Sequence, residues 1–245
     1  MLAKWENPFP QAMLQNYNRK LDLFDWYLMA DPGNAGSAFA VLFIAYAAWI
    51  PKAFFLDEIY ETEGVDTTVG RVGKKIITKA AALYPLAHRW KCYYDVAALW
   101  FANNFHGQFC DENGEHGNCG LAFMPVEKNQ GDKEEGIDTL NDLYLNKQIE
   151  ISTQCPNTIW EFDNFVRDAK GRIPKRNDHQ IDNSRYFVKM SGIVAGKSVD
   201  GKKVVGRVQP TKKRERRYVS LEHDLKMRRR QNLFGAVLAK YGEND

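Results

Sequence analysis

The sequence is poor in cysteine: four in 245 residues, at the uneven positions 92, 110, 119 and 155. That excludes a disulfide framework and fits a reducing compartment. Long hydrophobic runs are missing too. The longest uncharged apolar stretch, Ala38–Ile50, is 13 residues, short of the roughly 18 a membrane-spanning helix needs. Lys4, Glu6 and Pro8 leave no apolar core for a secretory signal. There is no phosphate loop: Gly70-Arg71-Val72-Gly73-Lys74-Lys75 lies inside a helical pattern and lacks the terminal Ser/Thr. No internal repeat is visible. What is present is 44% hydrophobic, 27% charged and 13% aromatic residues, the composition of one globular domain with room for a small appendage.

The net charge of +3 is unevenly spread. Residues 1–190 hold 20 Lys/Arg against 25 Asp/Glu, whereas residues 191–232 hold 13 against 4. The body is therefore acidic and the last segment, 191–245, is a basic extension. Its densest parts, Lys212-Lys213-Arg214-Glu215-Arg216-Arg217 and Lys226-Met227-Arg228-Arg229-Arg230, suit phosphates or an acidic protein face. An acidic body attached to such a segment has to gather its carboxylates somewhere, and metal coordination is one reason to do so.

Residues 1–24 read as a connecting segment. The apolar run Trp26–Asp31, stopped by Pro32-Gly33-Asn34, predicts a strand and a turn. Runs 37–46 and 52–60, separated by five residues, predict a hairpin and complete a meander. Val69, Val72, Ile76, Ile77, Ala80 and Leu83 recur at helical spacing within 67–84. Beyond them the pattern alternates: strand 90–95, helix 97–109, strand 121–126, helix 133–145, strand 148–152, helices 157–166 and 178–190. A hairpin over 193–208 and an amphipathic helix over 220–240 follow. Such alternation predicts an α/β fold, a mixed β-sheet flanked by helices with strands added in parallel.

Three acidic positions stand out. Asp31 ends the first strand, Asp95 ends the fourth, and Asp182 lies in Asp178-His179-Gln180-Ile181-Asp182. If the first and fourth strands are neighbours, Asp31 and Asp95 emerge side by side, and a helix crossing the strand ends can deliver Asp182 to them. Hard cations such as Mg²⁺ or Mn²⁺ prefer oxygen ligands, and two of them can stabilise the attacking and leaving oxygens of a phosphodiester displacement. Asp178 is placed to cap its helix, with His179 three residues from Asp182. Each piece has a plainer reading: Asp-Pro-Gly as a turn, Asp95 as a helix cap, His179 as a packing residue. Their order on these elements favours the metal reading. His106, Cys110, His116 and Cys119 share a loop, but their spacing matches no common zinc site.

At these residues the sequence resembles the C-terminal nuclease domain of the large terminase subunit of tailed bacteriophages, over about residues 25–190. The resemblance rests on Met29-Ala30-Asp31-Pro32-Gly33, Phe55-Leu56-Asp57-Glu58-Ile59-Tyr60, Tyr93-Tyr94-Asp95, Lys128 through Glu135-Gly136-Ile137, and Glu161-Phe162-Asp163-Asn164-Phe165. It is most specific in Lys175-Arg176-Asn177-Asp178-His179-Gln180-Ile181-Asp182-Asn183-Ser184-Arg185-Tyr186, where Asn183 replaces the family's usual Ala. The resemblance implies an RNase H-like fold. It also implies that Asp31, Asp95 and Asp182 are the metal-binding catalytic carboxylates for two Mg²⁺ or Mn²⁺ ions, with Asp178 and His179 in support. Lys128, Lys133, Arg214, Arg216 and Arg217 are the expected DNA contacts.

The implied activity is metal-dependent endonucleolytic cutting of concatemeric double-stranded viral DNA, with little sequence preference. Implied partners are double-stranded DNA, a terminase ATPase domain or subunit, the small terminase subunit and the portal or procapsid. No membrane is involved, and the expected place is the host bacterial cytoplasm rather than the mature virion. The family's Walker A loop does not occur in this sequence, so ATP hydrolysis is expected from elsewhere. The rival readings are another RNase H-like nuclease (a junction resolvase or a hybrid-specific RNase H) and a non-catalytic portal-docking module.

Overall fold

The structure is a computed structural model. It describes residues 4–5, 21–33, 37–62, 68–109, 119–128, 131–165, 178–195, 198–199 and 202–203. Nine strands and five α-helices are found among these: β1 (Lys4–Trp5), β2 (Asp25–Pro32), β3 (Phe39–Ala47), β4 (Lys52–Glu61), α1 (Val69–Leu83), β5 (Trp90–Asp95), α2 (Leu99–Phe109), β6 (Phe123–Val126), α3 (Asp132–Leu145), β7 (Ile149–Ser152), α4 (Pro156–Asn164), α5 (His179–Ser191), β8 (Ser198–Val199) and β9 (Lys202–Lys203). No helix of the described residues is long and apolar enough to cross a membrane.

Seven strands form one mixed sheet in the order β1-β7-β4-β3-β2-β5-β6. The meander β2-β3-β4 is antiparallel, as read from the sequence. The later strands join in parallel, β5 against β2, β6 against β5 and β7 against β4. All nine residues of β3 are buried, which follows from its central place with helices on both faces.

Alternation along each strand divides the core in two. Trp26, Leu28 and Ala30 face the layer packed by α1 and α2. Tyr27 and Met29 face the layer that receives Ile137, Leu140 and Leu143 of α3 and Ile181, Tyr186 and Phe187 of α5. Trp26 stacks on Tyr84 at 4.4 Å between centroids, fixing the end of α1 to the sheet.

One irregularity matters for the site. Phe43 opposes Asp57 while the next residue, Ile44, opposes Phe55, so β4 bulges at Leu56. A bulge shifts the phase of everything beyond it. Phe55 faces the α5 layer, Ile59 the opposite one, and Glu58 is aimed at the N-terminus of α4.

Several expectations are corrected. Residues 1–24 are not all connector: Lys4–Trp5 pairs in parallel with β7, and Leu21–Leu23 forms a 3-10 turn, both too short to leave a periodic signal. Helix α2 starts at Leu99 rather than Ala97, because Asp95 caps a 3-10 turn over Val96–Ala98. The strand expected from Leu121 begins at Phe123. The expected 193–208 hairpin is described only as β8 paired with β9. The helix expected over 220–240 lies outside the described residues.

Candidate active site

Parallel pairing sets the first two carboxylates together. Ala30 of β2 pairs with Tyr94 of β5, so Asp31 and Asp95, one residue on, leave the same end of adjacent strands. Strand β2 runs through Pro32, and Gly33 beyond it lies close against Ser37 and Ala38. A Cβ on Gly33 would stand 2.7 Å from the Ser37 carbonyl oxygen, so glycine lets the returning chain bring Ser37 beside the strand end.

Helix α5 crosses those ends and is pinned at two points. His179 donates from Nδ1 to Asp31 Oδ2 at 2.8 Å, and its Nε2 pairs with Ser37 Oγ at 3.0 Å. Two turns on, the Tyr186 hydroxyl donates to Asp95 Oδ2 at 2.7 Å. Residues 179, 182 and 186 follow the i, i+3, i+7 spacing of one helix face. Asp182 is therefore held between the two pins.

Each carboxylate has a cation or donor of the chain's own. Asp95 accepts from Lys128 Nζ at 2.6 Å and from the Ala97 N–H at 2.9 Å. Asp182 is met by Arg185, Nη2 at 3.1 Å and Nε at 3.3 Å, with Lys133 Nζ at 3.9 Å. Asp178 occupies the N-cap position of α5, yet its side chain makes no cap bond. It accepts from Lys133 at 2.7 Å instead. The expected cap is thus replaced by an ion pair, because an ammonium nearby offers a charge-assisted bond.

The electrostatics follow from burial and these partners. Burial raises the Asp182 carboxyl above its ordinary value; Arg185 and Lys133 oppose the rise, and Asp178 and Asp31 add to it. Burial alone would raise Asp95, but hydrogen bonds from Lys128, Tyr186 and the Ala97 N–H outweigh it and hold that carboxyl below the usual range. The bond to Asp31 raises His179 against the effect of burial. Burial, with Asp182 and Asp95 nearby, pushes the Tyr186 phenol up, so it stays a donor.

Asp31, Asp95, Asp182, Asp178 and His179 are thus brought to one end of the sheet. Among the described residues, however, no three His, Cys, Asp or Glu side chains stand close enough to hold a metal ion. In this arrangement the carboxylates are turned toward nitrogen and hydroxyl donors rather than toward one another. Lys128 and Lys133, expected at phosphates, sit on these carboxylates. Arg214, Arg216 and Arg217 lie outside the described residues, as do Cys110 and His116. His106 accepts from the Phe123 N–H at 3.0 Å, and Cys119 is buried with its thiol directed at the Leu121 carbonyl at 3.9 Å.

Other residues at the site carried no role in the sequence reading. Tyr186 and Arg185 were legible only as part of a motif, although their i+4 and i+3 spacing from Asp182 is the signal that places them. Glu58, Glu161 and Gln180 likewise stand only inside such motifs and Ser37 in none, and nothing local assigns them a role because their partners are remote in sequence.

Residues 97–191 match the family model described as the terminase RNaseH-like domain. No curated protein sequence matches the chain. Among solved structures, the large terminase (g2p) nuclease domain of bacteriophage SPP1 with bound Mn aligns at TM-score 0.57 and 18% identity, covering 78% of this chain and 96% of that one. The large terminase of the thermophilic bacteriophage D6E aligns at TM-score 0.53 and 18% identity, over 68% of this chain and 40% of that one. The P22 large terminase nuclease domain gives 0.52 and 17%, over 71% and 84%. This chain therefore spans less than half of the D6E protein and most of each nuclease domain.

Proposed function

We propose that this chain, whose fold is that of the large terminase nuclease domains, is a divalent-metal-dependent endodeoxyribonuclease that cuts concatemeric double-stranded viral DNA during packaging. One observation carries the reading: α5 is tied to Asp31 through His179 and to Asp95 through Tyr186, and holds Asp182 between them. Residues 25–190 form the nuclease unit in this reading, 1–24 the lead-in and 191–245 a basic extension.

In chemical type the donor set suits Mg²⁺ or Mn²⁺, two ions in this reading, which its carboxylates would have to turn from their present partners to share. It is all carboxylate oxygen, as hard cations require. The Asp31, Asp95 and Asp182 side chains are 16%, 13% and 18% exposed, so they are sheltered yet reachable. Their counter-charges include two lysines on long, more exposed stems, which a dication can displace. Asp31, Asp95 and Asp182 would hold the ions, with Asp178 beside them. Bound there, the ions lower the pKa of water and offset charge on the attacking and leaving oxygens; Mn bound to the SPP1 domain is in keeping with this.

The chain's own residues set the geometry. His179 keeps Asp31 turned toward α5, Tyr186 and the Ala97 N–H hold Asp95, and Arg185 holds Asp182. Lys128 and Lys133, once displaced, face an incoming phosphate. Backbone contacts of this kind carry no base information, so cutting has little sequence preference. Arg214, Arg216 and Arg217 bind DNA in the same reading. The ATPase domain or subunit, the small terminase subunit and the portal are the partners, in the host cytoplasm.

Plasmid nicking with Mn²⁺, Mg²⁺ or EDTA tests this. The expected result is metal-dependent nicking of plain duplex that Asp182→Asn and Asp31→Ala abolish while DNA binding persists. Cutting confined to junctions or hybrids would point to another RNase H-like nuclease, and indifference of every assay to these substitutions would leave only a docking module.

A further inference from the structure

Helices α4 and α5 share an unusual feature at their N-termini. Neither Cys155 nor Asp178, the residues at the two N-cap positions, makes a side-chain cap bond. The first-turn N–H groups are served in each case by a buried glutamate from another element instead. Glu58 of β4 accepts from the N–H groups of Asn157 at 2.6 Å and Thr158 at 2.9 Å, and from both their side chains. Glu161 of α4 accepts on Oε2 from the N–H groups of Gln180 at 2.8 Å and Ile181 at 3.0 Å. The Gln180 side chain closes the circuit, donating to Glu58 Oε2 and to the Val41 carbonyl of β3, each at 3.3 Å.

Glu58 is 6% exposed, Glu161 1% and Gln180 0%. Burying two carboxylates is costly, and a Ser or Asp at the cap would satisfy the same N–H groups at the surface. The helix dipoles and charge-assisted bonds offset part of that cost. What a remote carboxylate adds is a tie between elements: β4 to α4, α4 to α5, and α5 back to the sheet. The middle link, Glu161, grips the two residues between His179 and Asp182.

We infer that Glu161, backed by Glu58, is a positioning residue for the nuclease reaction, fixing the first turn of α5 so that His179 meets Asp31 and Asp182 faces the strand ends. The inference rests on the nuclease reading above. Glu161 binds no metal or substrate; it acts through the backbone of residues 180 and 181. Its Oε1 is buried without a well-aligned donor, the Tyr60 hydroxyl being its polar neighbour, so an amide there keeps the working acceptor on Oε2 and can itself donate toward that hydroxyl.

The test compares Glu161→Ala, Glu161→Gln and Asp182→Asn in the full chain. Mn²⁺ binding is followed by electron paramagnetic resonance of the free ion, nicking by plasmid assay, and folding by thermal unfolding in EDTA. Loss of a partner that orients metal ligands typically lowers metal affinity about 10–100-fold. Glu161→Ala should raise the half-saturating Mn²⁺ by that factor, while Glu161→Gln stays near wild type. Should Glu161→Ala not fold, Glu161→Asp, which withdraws the acceptor by one methylene, carries the same expectation as the alanine variant. Wild-type Mn²⁺ binding by a folded Ala or Asp variant overturns the inference, as does equal loss in Gln and Ala. Nicking that Asp182→Asn abolishes and Glu161→Ala leaves intact removes this inference alone. A wild-type chain that neither binds Mn²⁺ nor nicks removes the nuclease reading and the inference with it.

Discussion

Replacing Gly136 by alanine sets two local effects against each other at the seam between α3 and α5. Gly136 lies inside α3, where alanine is favoured over glycine by about 0.8–1 kcal/mol on helix propensity. An open site would therefore gain stability. Here a Cβ would meet Arg185 Cγ well inside contact distance and Cδ at 2.7 Å. The arginine cannot simply swing aside. Its guanidinium holds Asp182 at 3.1 Å and lies over the Tyr186 ring at 4.7 Å, with the side chain only 8% exposed. Overpacking of a tethered side chain costs about 1–3 kcal/mol, so the net effect is a loss of roughly 0–2 kcal/mol. At about 2–4 °C per kcal/mol for a chain of this size, calorimetry should show an unchanged to modestly lower Tm. The Asp182 carboxyl should also move: Arg185 is the first of the groups opposing its rise, so displacing it sends that carboxyl higher. Mn²⁺ binding by Gly136→Ala then requires a higher pH than in the wild type. A Tm raised by the full propensity gain, with Mn²⁺ binding unshifted in pH, would refute the close contact between α3 and Arg185.

Tyr186→Phe removes the hydroxyl donor to Asp95 from a buried ring and should cost about 1.5–3 kcal/mol, the range for hydrogen bonds to charged groups. Because Asp95 sits below its ordinary value, its stabilisation is present above the unfolded carboxyl pKa and disappears as pH falls through the lowered one; acid unfolding of the Phe variant should begin at higher pH. Glu161 has the opposite sign. Burial pushes it up to about 7, against hydrogen bonds from Ile181 and Gln180, so the folded state holds a proton that the unfolded state releases near pH 4.5, and stability falls as pH rises from there to about 7. Urea unfolding at pH 5 and pH 8 should show that loss in the wild type, up to about 3 kcal/mol, and not in Glu161→Gln; parallel pH profiles would contradict it.

Much of the fold was legible because it is carried by local signals. The 3.6-residue pattern of Val69–Leu83 and the Pro-Gly signal at the end of β2 depend only on neighbours in sequence, and so do the short gap of the β3–β4 hairpin and the alternation that follows. The placement of Asp31 and Asp95 at adjacent strand ends and of Asp182 on a crossing helix was also readable, since strand and helix patterns are enough to set it. What held them in place was less visible. Tyr186 reaches Asp95 across 91 residues of sequence and His179 reaches Asp31 across 148, and only the parallel pairing of β2 with β5 makes these neighbours. Asp178 misled for the same reason. The cap rule is local and correct on average, but Lys133, 45 residues away, claims the carboxylate, and the cap passes to Glu161. That substitution explains why a chain with an ordinary cap residue in place nevertheless buries a glutamate beneath the helix that crosses the strand ends. Local rules chose the helix, and long-range charge pairing chose where its first turn is tied.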